Sequence, residues 1–397
     1  DSPGALRYGR VGREYTDAPA QTPTRPYRYV DAVERLAASV TAGRPSRATG
    51  KRGAHVVAVC NAIETAAETG GPVAVDAFGA TSEPLPAPVV RPGAESDQSP
   101  PGPNALRLPP VGFGCSRYRD GEYVDRADSI ATALDASYRL LDSAELYGNE
   151  HRIGEVLAAP GSPDREGLFV LGKPWRTNHR REHLLTACRG SLAELGLDAF
   201  DCYALHWPDA WAHRGPLERL AEKPVDRQEA LTFPEGEDGD IETAAVPLER
   251  AWANLETLHE RGLARTLGVC NVSRAQLETI LDSGTVRPAL VQVERHPYRP
   301  RADLVSFCHE RGVRVVAHSP LSAPGLLDEP VLADVAERRG LSPAGVVVAW
   351  NATRGVVPIP SSTTTEHVVS NLAAAGERLS DDELARIDTL RDPSFER

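Results

Sequence analysis

The 397-residue sequence has no methionine, unusual at this length, so spacings inside motifs carry more weight than spacings between them. It has no run of about 18 apolar residues, so no segment reads as a membrane span. The opening stretch DSPGALRYGR shows no apolar core followed by a small-residue cleavage site, so no secretory leader is visible in it. Six cysteines (Cys60, Cys115, Cys188, Cys202, Cys270 and Cys308) are scattered without a C-x-x-C pair, which argues against a disulfide framework and for reduced core or site residues. Positive charge is short as well. The 44 Lys and Arg stand against 56 Asp and Glu, and a net charge of −12 does not support a nucleic-acid partner. No apolar strand runs into G-x-G-x-x-G, the turn that an open dinucleotide-binding sheet wants. These absences leave a cytoplasmic protein with a small-molecule partner as the expectation.

The remaining composition is ordinary for a globular chain, with 41% apolar and 25% charged residues. Residues 83–105 are rich in Pro, Gly and Ser and lack apolar periodicity, so they read as a linker between an N-terminal appendage, 1–82, and a body, 106–397. The body repeats a short apolar strand, a polar turn and an amphipathic helix. Strands are expected at 111–114, 139–143, 168–172, 202–206, 266–269, 290–294, 313–317 and 356–359. Helices are expected at 124–137, 150–157, 182–195, 248–261, 274–282 and 302–311. Runs of Val, Ile and Leu bounded by turn residues suit strands buried on both faces. Eight such units predict an α/β fold, a closed (β/α)8 TIM barrel with a small N-terminal α/β appendage.

In such a barrel the chemistry sits at the C-terminal ends of the strands. Asp142, Lys173, His206, Asn271, Gln292, Glu294, His318 and Ser319 all fall there. Any one of them could be a satisfied structural residue. Ionisable groups at so many strand ends are harder to explain by packing, because a buried charge is costly unless paired.

The body resembles the aldo-keto reductases. The resemblance rests on D-x-A-x-x-Y-G-N-E at Asp142–Glu150, VLGKPW at Val170–Trp175 and YALHWP at Tyr203–Pro208. LGVCN at Leu267–Asn271, VQVERHPY at Val291–Tyr298, AHSPL at Ala317–Leu321 and VPIPSS at Val357–Ser362 continue it in order. It implies an NADP- or NAD-dependent enzyme that interconverts an aldehyde or ketone and an alcohol. Tyr147 would then be the general acid, Lys173 the cation that eases loss of its proton, Asp142 the partner of Lys173, and His206 a donor to the carbonyl oxygen. A plain salt bridge and a core histidine are the bland alternatives. A non-catalytic nucleotide-binding regulatory subunit is the competing class, and it would have little need of all four residues.

The same resemblance implies that Asn271 and Gln292 bind the nicotinamide amide, with Cys270 where a serine is usual and His318 in place of a stacking tyrosine. Ser319 and Leu321 belong to the same cofactor-facing stretch. Ser361 and His367 stand where the family usually carries a lysine and an arginine for the 2′-phosphate, which weakens the reason to prefer NADP. Arg354 and Arg378 are nearby cations that could substitute. Ser362 and Asn371 match the adenosine side. Trp175 and Trp207 match walls of the substrate pocket, Ser116 sits where a tryptophan is often found, and the polar stretch Asp209–Val246 is expected to cover the mouth.

His179–His183 spells H-x-x-E-H, a zinc-peptidase pattern. Its polar flanks and the lack of a third ligand argue against a metal, and none is expected. In the appendage, residues 30–76 contain two helical stretches, an A-G-R-P turn and a strand at PVAV. They resemble the C-terminal tail of the glucose-fructose oxidoreductase/inositol dehydrogenase family, without its nucleotide-binding half. A self-association element and a cap over the barrel bottom are both open readings.

Overall fold

A computed structural model describes residues 106–116 and 126–396, with backbone pairing also at 7–8, 16–17, 118–119 and 122–123. The chain divides into two compact units, Asp1–Leu85 and Pro86–Arg397. In the first, the described backbone is one antiparallel pair, Arg7–Tyr8 with Thr16–Asp17. The elements expected at 30–76, the linker at 83–105 and Cys60 lie outside the described residues.

The second unit is built on eight strands: β1 (Phe113–Gly114), β2 (Leu140–Asp142), β3 (Phe169–Gly172), β4 (Phe200–Leu205), β5 (Ala264–Cys270), β6 (Leu290–Glu294), β7 (Arg314–His318) and β8 (Val356–Pro358). Each pairs in parallel with the next in sequence. Two backbone hydrogen bonds close the ring, from Gly112 N–H to Pro358 O at 2.9 Å and from Gly114 N–H to Pro360 O at 3.1 Å. The fold is the expected (β/α)8 barrel.

The helices are α1 (Ala127–Asp135), α2 (Glu150–Leu157), α3 (Arg181–Leu195), α4 (Val225–Thr232), α5 (Leu248–Glu260), α6 (Arg274–Ser283) and α7 (Ala302–Glu310). Then come α8 (Pro330–Arg339), α9 (Pro343–Thr353), α10 (Thr365–Ala374) and α11 (Asp381–Asp388). Among the described residues, no helix is long and apolar enough to cross a membrane.

Period-two alternation sorts the strand side chains into two cores. Leu140, Leu171, Cys202, Ala204, Cys270, Leu290, Val316 and Val357 form one cluster, the barrel interior. Their neighbours Leu141, Val170, Tyr203, Leu205, Leu267, Val269, Val291, Val293 and Val315 face outward and join the helices in the larger core. Helix α5 shows the matching helical stripe, burying Ala251, Trp252, Leu255 and Leu258. Burying each such leucine contributes about 1.5–3 kcal/mol. Gly172 is required at the end of β3, since a Cβ there would stand 2.4 Å from the Phe200 ring.

Candidate active site

The alternation that fills the barrel also aims its polar residues. Asp142 lies two residues beyond Leu140, Lys173 two beyond Leu171, His206 two beyond Ala204, Gln292 two beyond Leu290 and His318 two beyond Val316. Each continues the inward face of its strand by one layer, at the C-terminal mouth of the barrel.

At the centre lies Lys173, with no exposed surface. Its Nζ donates to Asp142 Oδ1 at 2.6 Å and to the Ser143 carbonyl at 2.7 Å. Gln292 Nε2 donates to the same Asp142 oxygen at 2.7 Å. The Lys173 ammonium stands 5.4 Å from the centre of the Tyr147 ring. The Tyr147 ring meets the edge of His206 at 6.0 Å, and His206 meets Trp175 at 5.3 Å. Tyr147 closes a short 3-10 turn, Glu145–Tyr147, that ends on Gly148 at φ +64°. A Cβ on Gly148 would stand 2.7 Å from Ala221 N, so both the backbone conformation and the space call for glycine.

The electrostatics differ from the sequence expectation at one group. Burial raises the Tyr147 phenol above its ordinary value, and the opposing pull of Lys173 only partly offsets it. The phenol is therefore held protonated, because desolvation of a phenolate outweighs one neighbouring cation. Burial alone would lower Lys173, but Asp142 and Tyr147 keep it above its ordinary value and charged. Burial, reinforced by Lys173, drives His206 well below the ordinary histidine value, so its ring is neutral.

Asn271 sits at φ +58°, just beyond β5. Its Nδ2 donates to the His206 carbonyl at 2.9 Å, which leaves its Oδ1 to accept from His318 Nε2 at 2.8 Å. His318 Nδ1 lies 3.1 Å from Ser319 Oγ. Cys270 is buried in the barrel interior, and Leu321 packs against the cluster under α8 and α9. Ser361 and His367 are exposed beside the start of α10, while Ser362 and Asn371 are buried. Ser362 Oγ accepts from Thr364 N–H at 3.0 Å and lies 3.4 Å from His367 Nδ1. Arg354 pairs with Asp388, and Arg378 donates to the carbonyls of Ala375 and Glu377, past the far end of α10.

Trp175 is buried, its Nε1 donating to Thr232 O at 2.7 Å. Trp207 is half-buried, with the Arg176 guanidinium 4.3 Å from its ring. Ser116 accepts from Arg126 Nε through its carbonyl at 2.9 Å. The stretch after β4 carries α4 and packs Trp211 and Phe233 edge-on against Trp175, at 5.7 and 6.2 Å. These two rings, with Glu145, Asn178 and His213, adjoin the candidate site and were not singled out in the sequence. Aromatic residues inside an otherwise polar loop were the available signal for Trp211 and Phe233. In H-x-x-E-H, His179 lies in the turn before α3 and His183 inside it, so the two do not share a helix face. Among the described residues, no group of three His, Cys, Asp or Glu could hold a metal ion.

A closed barrel whose mouth gathers a buried lysine–carboxylate pair, a phenol and an imidazole has the strand-end arrangement of the (β/α)8 enzymes. The model of the Aldo/keto reductase family matches residues 110–392. The chain is 36% identical over 298 residues to "Aldo-keto reductase family 1 member A1" of Cricetulus griseus, covering 72% of this chain and 86% of that protein. The Homo sapiens protein of the same description is 35% identical over the same shares. Among solved structures, the aldose reductase of Schistosoma japonicum superposes with a TM-score of 0.64 at 30% identity, over 72% of this chain and 90% of that one. An aldo-keto reductase of Bombyx mori in complex with NADP does so at 0.62 and 26%, over 72% and 89%. The chain belongs to the aldo/keto reductase family and is an NAD(P)-dependent oxidoreductase.

Proposed function

We propose that the chain reversibly reduces an aldehyde or ketone, with Tyr147 giving the proton to the carbonyl oxygen. The observation that carries this reading is the buried Lys173–Asp142 pair beside a protonated Tyr147 and a neutral His206. The names of the relatives, aldo-keto and aldose reductases, favour the same chemistry.

The mouth fits a nicotinamide dinucleotide. Two amide side chains, Asn271 and Gln292, lie at the barrel mouth, and the first turn of α10 has no side-chain cap at Thr364, which suits an anionic phosphate. Asn271, Gln292, Cys270, His318, Ser319 and Leu321 would hold the nicotinamide half, and Ser361, Ser362, His367 and Asn371 the adenosine half. When bound, the nicotinamide supplies or accepts the hydride.

The chain's own residues do the rest. The neutral ring of His206 offers an N–H to the carbonyl oxygen and orients it. Tyr147 transfers its proton as negative charge grows on that oxygen, and Lys173 stabilises the phenolate left behind. Asp142 keeps the ammonium in place. Trp175 and Trp207 supply apolar walls that keep water from competing.

Tyr147→Phe should lower carbonyl reduction at least about a hundredfold while nucleotide binding stays nearly unchanged. Equal activity in the variant would overturn the general-acid role. Loss of nucleotide binding by the native chain would overturn the reading as a whole.

A further inference from the structure

Glu145 shares the 3-10 turn with Tyr147 and is buried. Its Oε2 accepts from Trp175 N–H at 2.9 Å and its Oε1 from Asn178 Nδ2 at 2.6 Å. Both donors lie on the segment that follows Lys173. With its NH2 group spent on Glu145, Asn178 turns its Oδ1 to His213 Nδ1 at 2.8 Å, so His213 is the donor there. His213 lies in the long connection between β4 and α5, and its ring stacks on His183 of α3 at 3.7 Å. The same connection returns to the turn from its other side, where Ala221 N–H donates to Gly148 O at 3.3 Å.

We propose that Glu145 is a positioning residue that ties the Tyr147 turn to the 209–246 loop through Asn178 and His213, so that the loop over the carbonyl site and the phenol are set together. The proposal rests on the general-acid reading of Tyr147.

A carboxylate is a poor filler for this place. Burial pushes Glu145 up, the two N–H donors pull it down, the charges of Glu218 and Glu194 push it up again, and together they leave it at about 7. An apolar side chain would fill the space without that penalty. Above about pH 7 the ionised carboxylate offers one oxygen to each N–H donor, which a side-chain amide in its place, with one oxygen and one NH2, cannot do.

The test uses the full chain. Glu145→Gln keeps the shape, but its NH2 meets an N–H donor on one side, so one of the two bonds is lost. At about pH 8, where Glu145 is ionised, with NADPH and 4-nitrobenzaldehyde, kcat should fall at least about tenfold while the NADPH dissociation constant, read by fluorescence, stays within about twofold. Hydrogen exchange across 209–246 should quicken in the protein without nucleotide. Asn178→Ala should do the same, and the double variant should be no worse than either single one, because both act through one chain of bonds. His213→Ala, a half-buried change outside the core, should quicken loop exchange even if the other variants fold poorly. Additive losses, unchanged loop exchange, or a Glu145→Gln kcat within about twofold of native would overturn the tie. Full activity in Tyr147→Phe, with Glu145→Gln still slow and its loop still loosened, would instead overturn the general-acid reading and leave the tie standing.

Discussion

Lys173 keeps its charge with no exposed surface because Asp142 and Ser143 meet it at 2.6 and 2.7 Å. Taking two ions out of water costs several kcal/mol each, which close pairing and further hydrogen bonds must offset. Lys173→Met keeps most of the side-chain volume and removes the cation. Asp142 would retain Gln292 as a donor but lose its counter-charge inside a dry barrel. Unfolding free energy should fall by about 3–5 kcal/mol, read from urea denaturation, and Asp142→Asn in the same chain should recover part of the loss. A native midpoint in Lys173→Met would show that the pair is no anchor. The four central residues, which the barrel brings together, could be picked out because each lies at a strand end or in the turn just after one, inside a short motif. The partners of Glu145 were not. Asn178 lies 33 residues from Glu145 and His213 another 35 from Asn178, and only the folded barrel brings them together.

Among the elements, strands written as short apolar runs bounded by turn residues and helices with one apolar stripe were readable, and their edges moved by only a few residues. The C-terminal helices were not. Helix α9 buries every residue from Gly345 to Ala352, so its apolar run carries no stripe to mark it as helix. Under the proposed function helix α10 bears on the choice of cofactor, because its N-terminus, with no side-chain cap at Thr364, lies beside Ser361 and His367. A 2′-phosphate is gripped best by charge-assisted contacts from lysine or arginine. Both substitutes proposed from the sequence are engaged elsewhere. Arg354 is held by Asp388, and Arg378 sits past the far end of a helix roughly 15 Å long. NADPH should therefore be favoured over NADH by less than roughly tenfold, about 1.4 kcal/mol, in fluorescence titrations. Ser361→Lys should restore a strong preference. A native preference of several hundredfold would show that another cation reaches the phosphate.

For the molecule as a whole, two sets of buried groups give stability opposite dependences on pH. Burial raises Glu145 to about 7 and Glu150 to about 8, above their ordinary 4.5. The folded chain then binds protons that the unfolded chain has released, so this contribution is full below about 4.5 and lost as pH rises through 7 and 8. Burial lowers His179 and His318 to about 4, and shifts His206, His213 and His309 the same way. Their contribution is full above the ordinary 6.5 and lost as pH falls toward 4. The stability curve should therefore peak near pH 6.5, with histidines governing the acid side and the two glutamates the alkaline side. Each group can contribute a slope of at most about 1.4 kcal/mol per pH unit. Glu150→Gln retains an acceptor for Ser143 Oγ, which donates to Glu150 at 3.1 Å, and removes the titration. It should abolish roughly 2 kcal/mol of the decline between about pH 6.5 and 8.5, seen as a flatter series of Tm values on that limb alone. The buried thiols, raised to about 12 and beyond, have the same sign but act only above that window. If native Tm is flat or rises from pH 6.5 to 8.5, or if the variant declines as steeply as the native chain, then Glu150 is not protonated in the folded barrel.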